Sequence, residues 1–108
     1  MTSKRTQPLV LVVDDEANLR RVLSGEIQAM GYRVQQAPDG KTALSLATAE
    51  EPAVVVLDLQ LPDLSGLEVL SQLKTTHPLV EVILLTGHGS VETAGGGPGG
   101  STVSTGSG

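Results

Sequence analysis

Three aspartates in this chain stand where their carboxylates could meet. Asp14 and Asp15 directly follow the apolar run Leu9–Val13. Asp58 directly follows a second apolar run, Val54–Leu57. Unbroken runs of Val and Leu are typical of strands that are buried on both faces of a parallel sheet. Because a charge cannot remain inside such a strand, each carboxylate should lie where its strand emerges, at the carboxyl edge where open parallel sheets bind ligands.

Adjacent carboxylates offer only oxygen ligands, and oxygen ligands suit a hard cation. Magnesium typically takes one or two carboxylates, keeps several waters and shares phosphate oxygens. Such an ion would relieve the repulsion between the aspartates and draw a phosphoryl group toward one of them, which could then form an aspartyl-phosphate. Thr86 follows another apolar run, and its hydroxyl could bond a phosphoryl oxygen, as could the backbone N–H groups after Asp58.

The elements that must position these groups alternate between strands and helices. Predicted strands are Leu9–Val13, Tyr32–Gln36 at a sheet edge, Ala53–Leu57 in the centre, and Glu81–Leu85. The first predicted helix carries Leu19, Val22, Leu23, Ile27 and Met30 at helical spacing and ends at Gly31. The second begins after Asp39, carries Ala43, Leu46 and Ala47, and ends before Pro52. The third begins at the capping-box pair Ser65 and Glu68, ends at His77, and is expected to turn Leu67, Leu70 and Leu73 inward. A further helix is expected to begin at Ser90. This alternation predicts an α/β fold, a three-layer sandwich around a doubly wound parallel sheet.

Composition narrows the class of protein. The 108 residues suit one domain, and seven Lys and Arg against twelve Asp and Glu give a net charge of −5, which argues against binding of nucleic acid or an anionic membrane by this domain. The absence of Cys excludes disulfides and thiol catalysis. No secretory signal precedes the first strand, and no apolar run reaches the ~18 residues of a membrane span, so we expect a cytoplasmic protein.

The character of the chain changes after residue 94. Residues 95–108 contain seven Gly among fourteen residues and no charged side chain. Such a segment cannot bury enough surface to offset its ordering entropy, so we expect one folded unit of residues 1–94 followed by a flexible tail, 95–108. A weak strand within Ser101–Thr105 is a less favoured alternative, based on its β-branched residues.

Three motifs stand in order along the chain, each at the end of a predicted strand: Val12-Val13-Asp14-Asp15-Glu16, Leu57-Asp58-Leu59-Gln60-Leu61-Pro62 with Gly66, and Leu84-Leu85-Thr86-Gly87-His88-Gly89. Together they resemble the receiver domain of bacterial two-component response regulators. The segment from Thr86 to Ala94 is further similar to the nitrogen-regulator, enhancer-binding class. The resemblance covers roughly residues 8–94 and implies a flavodoxin-like sheet with strand order 2-1-3-4.

The resemblance also implies roles for individual residues. Asp58 would accept a phosphoryl group from a phosphohistidine on a sensor histidine kinase. Asp15 and Asp58 would bind Mg²⁺ directly together with the Gln60 backbone carbonyl, while Asp14 would act through water. Thr86 would be the switch hydroxyl, and the parent protein would regulate transcription. The response would be a change in dimerisation, to a homodimer, or the release of an output domain. The domain would not be an enzyme in its own right.

The chain departs from the family pattern after the fourth strand. Receivers carry a Lys at the end of a fifth strand and then a fifth helix, but here no Lys or Arg follows Lys74. A truncation, an altered reading frame or an engineered linker would each produce this pattern. Loss of a Lys that pairs with phosphoryl oxygens should slow transfer substantially. Loss of the fifth strand should expose Val82–Leu85 as an apolar edge, which predicts a marginally stable or self-associating domain.

Plainer interpretations compete with these roles. Asp14 or Asp15 could simply cap a helix, Asp58 could be a loop carboxylate, and Thr86 could fill a strand end. Pro62 and Gly66 more readily indicate turn geometry than chemistry, and Arg20 and Arg21 indicate a solvated helix face, while Lys41, His77 and His88 are expected to have no chemical role.

Two other functions remain open from the sequence. One is a phosphorylation-impaired pseudo-receiver, or a fragment, that acts only by binding another protein; the missing Lys favours it. The other is a phosphatase or phosphotransferase with an aspartyl nucleophile, similar to the haloacid dehalogenase type. That type has Asp-x-Asp after its first strand, whereas Asp14 and Asp15 are adjacent, so this alternative is disfavoured.

Overall fold

The computed structural model describes residues 7–85 in full and the backbone of two further strands, at 90–94 and 102–104. The strands are β1 (Leu9–Val13), β2 (Arg33–Ala37), β3 (Val54–Asp58), β4 (Glu81–Leu85), β5 (Ser90–Ala94) and β6 (Thr102–Ser104). The helices are α1 (Ala17–Ala29), α2 (Gly40–Glu50) and α3 (Gly66–Thr76). None of these helices has the length and apolar character that a membrane crossing requires.

The described strands form one sheet in the order β2-β1-β3-β4-β5-β6. The first four are parallel, so the predicted order 2-1-3-4 is confirmed. As predicted, β2 is an edge strand. The observed β2 and β3 each begin and end one residue later than predicted, and Asp58 is therefore the last residue of β3 rather than the first residue of a loop.

Helices cover both faces of the parallel strands, which is the predicted three-layer arrangement. The larger core lies under α2 and α3, where Ala43, Ala47, Val69 and Leu73 are buried against alternate strand residues. The smaller core lies under α1 and consists of three buried valines, Val10, Val12 and Val56. Only Leu23 and Ile27 of α1 pack on these valines. The two faces of the sheet are thus covered very unequally.

The helix ends follow the predicted capping signals. Asp39 accepts a hydrogen bond from the N–H of Thr42 at 2.8 Å and begins α2, and Ser65 accepts one from the N–H of Glu68 at 3.1 Å and begins α3. Gly31 follows the end of α1 with φ of +101°, a conformation that favours glycine. His77 ends α3, as predicted.

Several apolar side chains at helical spacing are more exposed than a core position would be. Leu67, predicted to face inward, is 62% exposed, and Val69 takes the fully buried position on α3 instead. On α1, Leu19 and Val22 are also exposed, and so is Met30, the C-cap residue of this helix. The spacing identified these helices correctly, but it did not separate the central positions of each apolar stripe from its margins.

The predicted helix at Ser90 is wrong. Residues 90–94 form β5, which runs antiparallel to β4 and pairs Leu85 with Val91 and Val82 with Ala94. A helix starting there would have few residues before the glycines, and short isolated helices are marginal. Pairing with β4 instead satisfies backbone groups that the parallel sheet would leave free.

This pairing also corrects the expected exposed edge at Val82–Leu85, because β5 lies along it. The less favoured strand within residues 101–105 is present as β6, which pairs antiparallel with β5. The expectation of self-association rested on that exposed edge and therefore loses its physical reason. The division of the chain at residue 94 stays a prediction.

Candidate functional site

The carboxylates of Asp14, Asp15 and Asp58 converge at the carboxyl edge of β1 and β3. Each contributes an oxygen atom, and these oxygens lie within 4.8 Å of one another. The strand register explains the convergence, because Val13 at the end of β1 pairs with Leu57, and an aspartate follows each of them. The predicted convergence at one edge of the sheet is therefore what the structure shows.

The three aspartates occupy different environments. Asp14 is buried, with 2% of its surface exposed, whereas Asp58 is half-buried and Asp15 is exposed. Burial raises the pKa of Asp14 above its ordinary value, and the negative charges of Asp58, Asp15 and Glu16 raise it further; only a hydrogen bond from the Glu16 N–H opposes this. Three negative charges therefore act on the Asp14 carboxylate, and a cation bound among them would relieve their repulsion.

The backbone of Asp14 is held from two sides. Its N–H donates to the carbonyl of Ala37 at 3.1 Å, which ties the end of β1 to the end of β2. Its carbonyl accepts a hydrogen bond from Nη1 of Arg20 at 2.6 Å. Arg20 also donates through Nε to Gln36 at 3.2 Å. The expectation that Arg20 only forms a solvated helix face is therefore wrong, because it holds the segment that carries the acidic pair.

The plainer interpretation of the acidic pair as a helix cap does not fit α1. The N-cap residue of α1 is Glu16, and its side chain makes no capping hydrogen bond. The carboxylate of Asp14 instead accepts the N–H of Glu16 at 2.8 Å, outside the helix. Asp15 precedes the cap as well, so neither aspartate is the N-cap of α1.

The segment after Asp58 folds back on itself tightly. The N–H of Gln60 donates to Oδ1 of Asp58 at 3.1 Å, Gln60 forms an isolated bridge with Ser65, and the N–H of Gly66 donates to the carbonyl of Leu59 at 3.0 Å. A Cβ at Gly66 would lie 2.5 Å from Cα of Leu59 and 2.7 Å from the carbonyl oxygen of Asp58. Gly66 therefore serves close approach, in line with its expected role in turn geometry.

One residue of this loop carried no local signal in the sequence. Asp63 accepts hydrogen bonds from the first backbone N–H groups of α2, 22 and 23 residues away along the chain. Nothing in a linear pattern indicates that a loop carboxylate will bind a helix so far from it.

Thr86 and His88 lie outside the described residues. Leu85, the residue before Thr86, pairs with Asp58 across β3 and β4. The role of Thr86 as a switch hydroxyl stays a prediction.

The parallel strands in the order 2-1-3-4, with helices on both faces, define a flavodoxin-like α/β domain. The acidic cluster at the carboxyl edge of these strands is suited to a hard cation. Comparison with known proteins identifies the family. The model of the response regulator receiver domain matches residues 10–97. The chain therefore belongs to the response regulator receiver domain family of two-component systems. Receiver domains of this family are not classical enzymes, and sensor histidine kinases phosphorylate them.

Individual relatives agree with this assignment. The chain is 44% identical over 97 residues to the probable transcriptional regulatory protein TcrX of Mycobacterium tuberculosis, covering 83% of this chain and 42% of TcrX. It is 38% identical over 87 residues to the nitrogen assimilation regulatory protein NtrX of Azorhizobium caulinodans, covering 79% of this chain and 19% of NtrX. The chain thus spans less than half the length of these two regulators.

Solved structures show the same fold. The response regulator TrrA of Thermotoga maritima, in complex with Mg²⁺-BeF, superposes with a TM-score of 0.71 at 38% identity, covering 74% of this chain and 70% of TrrA. A CheY-like receiver domain protein of Methanospirillum hungatei superposes with a TM-score of 0.75 at 26% identity, covering 76% of this chain and 66% of that one.

Proposed function

We propose that this receiver domain accepts a phosphoryl group on Asp58 from a phosphohistidine of a sensor histidine kinase, with Mg²⁺ as cofactor. The observation that carries the proposal is the meeting of three carboxylates within 4.8 Å at the carboxyl edge of the sheet. Asp58 is the candidate nucleophile because it ends the central strand β3 and is half-buried, so that an incoming group can reach it.

The donor set fits Mg²⁺. Asp15 and Asp58 would bind the ion directly, together with the backbone carbonyl of Gln60, while the buried Asp14 would act through water. All of these groups are oxygens, as a hard cation prefers. When bound, the ion supplies positive charge that neutralises the acidic cluster and the phosphoryl oxygens.

The chain's own residues position the reaction. A bond forms between a carboxylate oxygen of Asp58 and phosphorus while the bond between phosphorus and the histidine nitrogen breaks, and the released imidazole takes up a proton. The N–H of Gln60 holds Oδ1 of Asp58, which fixes the orientation of the carboxylate. The backbone of Asp14 is held by Ala37 and Arg20, which places its carboxylate beside Asp58, where the ionised form would favour retention of a cation. Thr86 would bond the transferred group and act as the switch.

A second candidate function is a phosphorylation-impaired pseudo-receiver that acts by protein–protein binding. Two observations favour it: no Lys or Arg follows Lys74 in this chain, and β5 is antiparallel to β4. A phosphoryl group at Asp58 would then have no lysine partner from the residues that follow Lys74, which should slow the transfer substantially.

The parent protein, in this proposal, uses the phosphorylated receiver to control transcription in the cytoplasm, through a change in dimerisation or the release of an output domain. The name of TcrX, a probable transcriptional regulatory protein, supports the transcriptional output. Binding of nucleic acid is not expected of this domain, given its net charge of −5.

The test uses phosphoramidate, a small donor that also has a phosphorus–nitrogen bond. Incubation of the purified chain with phosphoramidate and Mg²⁺ should add one phosphoryl group, detected by intact mass. Asp58→Asn and omission of Mg²⁺ should each abolish the addition. If the wild type binds Mg²⁺ and beryllofluoride but gains no mass, the pseudo-receiver is the better description; modification of Asp58→Asn would contradict the assignment of the acceptor.

A further inference from the structure

Asp63, in the loop between β3 and α3, binds three backbone N–H groups at once. Its Oδ1 accepts from Gly40 at 2.8 Å and from Leu64 at 2.8 Å, and its Oδ2 accepts from Lys41 at 2.9 Å. Desolvation raises the pKa of Asp63, but the hydrogen bonds from backbone N–H groups outweigh this effect and bring the pKa below its ordinary value. The side chain thus remains charged at neutral pH while it connects the loop to α2.

The connection completes the N-terminus of α2. A helix begins with N–H groups that have no partner inside the helix. In α2, Asp39 accepts the N–H of Thr42, as an N-cap residue commonly does. The N–H groups of Gly40 and Lys41 go instead to Asp63. Two carboxylates therefore share the first turn, and one of them belongs to a distant loop.

Close packing holds the same loop against α2. A Cβ at Gly40 would lie 2.9 Å from Cγ2 of Val69 and 3.0 Å from Cβ of Leu64. The backbone of Gly40 is therefore wedged between α3 and the loop. Because no larger side chain fits at that position without movement, the hydrogen bonds of Asp63 act across a contact that is already tight.

The loop held in this way also carries the proposed metal-binding carbonyl. Gln60 lies three residues before Asp63 and donates its N–H to Asp58. At its far end the loop is held by the bridge between Gln60 and Ser65. The loop therefore has an attachment to Asp58, an attachment to the start of α3, and, through Asp63, an attachment to α2.

We propose that Asp63 is a positioning residue, which holds the loop in the conformation that directs the Gln60 carbonyl and the backbone after Asp58 toward the metal and phosphoryl site. This inference rests on the proposed function. Asp63 touches neither ion nor phosphoryl group; it acts through the loop. Outer contacts that orient metal ligands typically change metal affinity by about 10–100-fold when removed.

The plain alternative is that Asp63 only stabilises the fold by capping α2. Asp39 provides the matched control, because it is also an aspartate, caps the same helix and carries the same charge, yet its side-chain bond goes to Thr42 and not to the loop. Asp39→Ala should lower the urea midpoint of unfolding, which is the usual effect of removing a cap. It should leave the affinity for Mg²⁺ unchanged.

The experiment measures the dissociation constant for Mg²⁺ alone, by isothermal titration calorimetry, at a temperature where circular dichroism shows every variant to be folded. We expect about tenfold weaker binding for Asp63→Ala than for the wild type. Asp63→Asn should lie between them, because its carbonyl can replace Oδ1 toward Gly40 and Leu64 but its amide cannot accept the N–H of Lys41.

Amide hydrogen exchange supplies a readout that a capping role would not move. The N–H groups of Gln60 and Gly66 should exchange faster in Asp63→Ala but not in Asp39→Ala.

Equal Mg²⁺ affinity in the wild type and both Asp63 variants would overturn the inference alone. No Mg²⁺ binding by the wild type would overturn the proposed function and the inference with it. If Asp63→Ala does not fold, the comparison of Asp63→Asn with Asp39→Asn decides in the same way.

Discussion

Without metal, the variant Asp58→Asn should be more stable than the wild type. With Mg²⁺ present, it should be less stable than the wild type. The oxygens of Asp14 and Asp58 lie within 4.8 Å of each other. Two unit charges at this distance repel by about 0.9 kcal/mol in bulk water and about 3.5 kcal/mol at an effective dielectric constant of about 20. Since Asp58 is half-buried and partly screened by solvent, we expect a gain of about 1–2 kcal/mol in the free energy of unfolding.

The substitution removes little besides the charge. The side-chain carbonyl of Asn can still accept the N–H of Gln60, which Asp58 accepts at 3.1 Å. Screening gives a further signature, because the Debye length falls from about 10 Å at 0.1 M salt to about 3 Å at 1 M. The stabilisation should therefore persist at 0.1 M salt and shrink at 1 M.

Mg²⁺ should reverse the order of the two proteins. A ligand at a hundredfold excess over its dissociation constant stabilises the folded state by about 2.7 kcal/mol. The wild type should gain this amount, while Asp58→Asn, which lacks one carboxylate ligand, should gain much less. The wild type then becomes the more stable protein.

The assay is urea denaturation followed by far-ultraviolet circular dichroism, because urea adds no charge and the chain has no Trp. Glu81→Gln is the control: Glu81 is exposed, and it pairs with Val54 at the opposite end of β3, roughly 13 Å from Asp58 at the usual rise along a strand. The reasoning is refuted if metal-free Asp58→Asn is less stable than the wild type, or if Glu81→Gln gives the same gain.

Three further predictions concern other parts of the structure. Gly66→Ala should reduce the free energy of unfolding by about 1–3 kcal/mol, because the added Cβ would lie 2.5 Å from the backbone of Leu59. Gly25→Ala should increase the free energy of unfolding by about 0.5–1 kcal/mol, because a Cβ at Gly25 would have nothing within 4 Å. Urea denaturation measures both changes. Glu51→Gly should stabilise by about 0.5–1 kcal/mol, because Glu51 ends α2 with φ of +52°, and the same assay should show no gain for Glu50→Gly inside the helix. Because Asp14 has a raised pKa and must lose its proton to favour a cation, calorimetric titrations should show the Mg²⁺ affinity falling as pH is lowered through that raised pKa.

Asp14 and Asp63 make opposite contributions to the pH dependence of stability. The folded state binds the proton of Asp14 more tightly than the unfolded chain, so the stability associated with Asp14 is present below its ordinary pKa and is lost as pH rises through the raised value. Asp63 has a lowered pKa, so its contribution is present above the ordinary value near 4 and is lost as pH falls through the lowered one. Asp63→Asn should flatten the acid limb of the stability profile, and a steeper limb would contradict this.

The parts of the fold that follow from local chemistry were predictable from the sequence. Short unbroken runs of Val, Leu and Ile, four or five residues long, favour buried strands over helices, so β1, β3 and β4 were correctly predicted within one residue. The three carboxylates follow from the same logic, since parallel strands bring their ends to one edge. Capping by Asp39 and Ser65 is equally local.

The features that were missed depend on contacts between distant residues. Residues 90–94 carry both a helix-start signal at Ser90 and β-branched residues at Val91 and Thr93, and the free edge of β4 decides between them. In the sequence, Asp63 and Arg20 look like ordinary charged surface residues, with no local signal for a structural contact. Their partners, Gly40 and the carbonyl of Asp14, become neighbours only when the sheet has formed.

The unequal cover of the two sheet faces has a consequence for local unfolding. Only Leu23 and Ile27 of α1 pack on the valines beneath it, whereas α2 and α3 share a larger core. Cooperative units with little buried apolar surface open first, so α1 should detach in a sub-global fluctuation while the opposite layer stays folded. Each such opening would withdraw Arg20 from the carbonyl of Asp14 and leave the bond to Ala37 as the other of the two contacts that hold this backbone. The time for which the proposed metal site stays ordered would then depend on how often α1 detaches from the sheet.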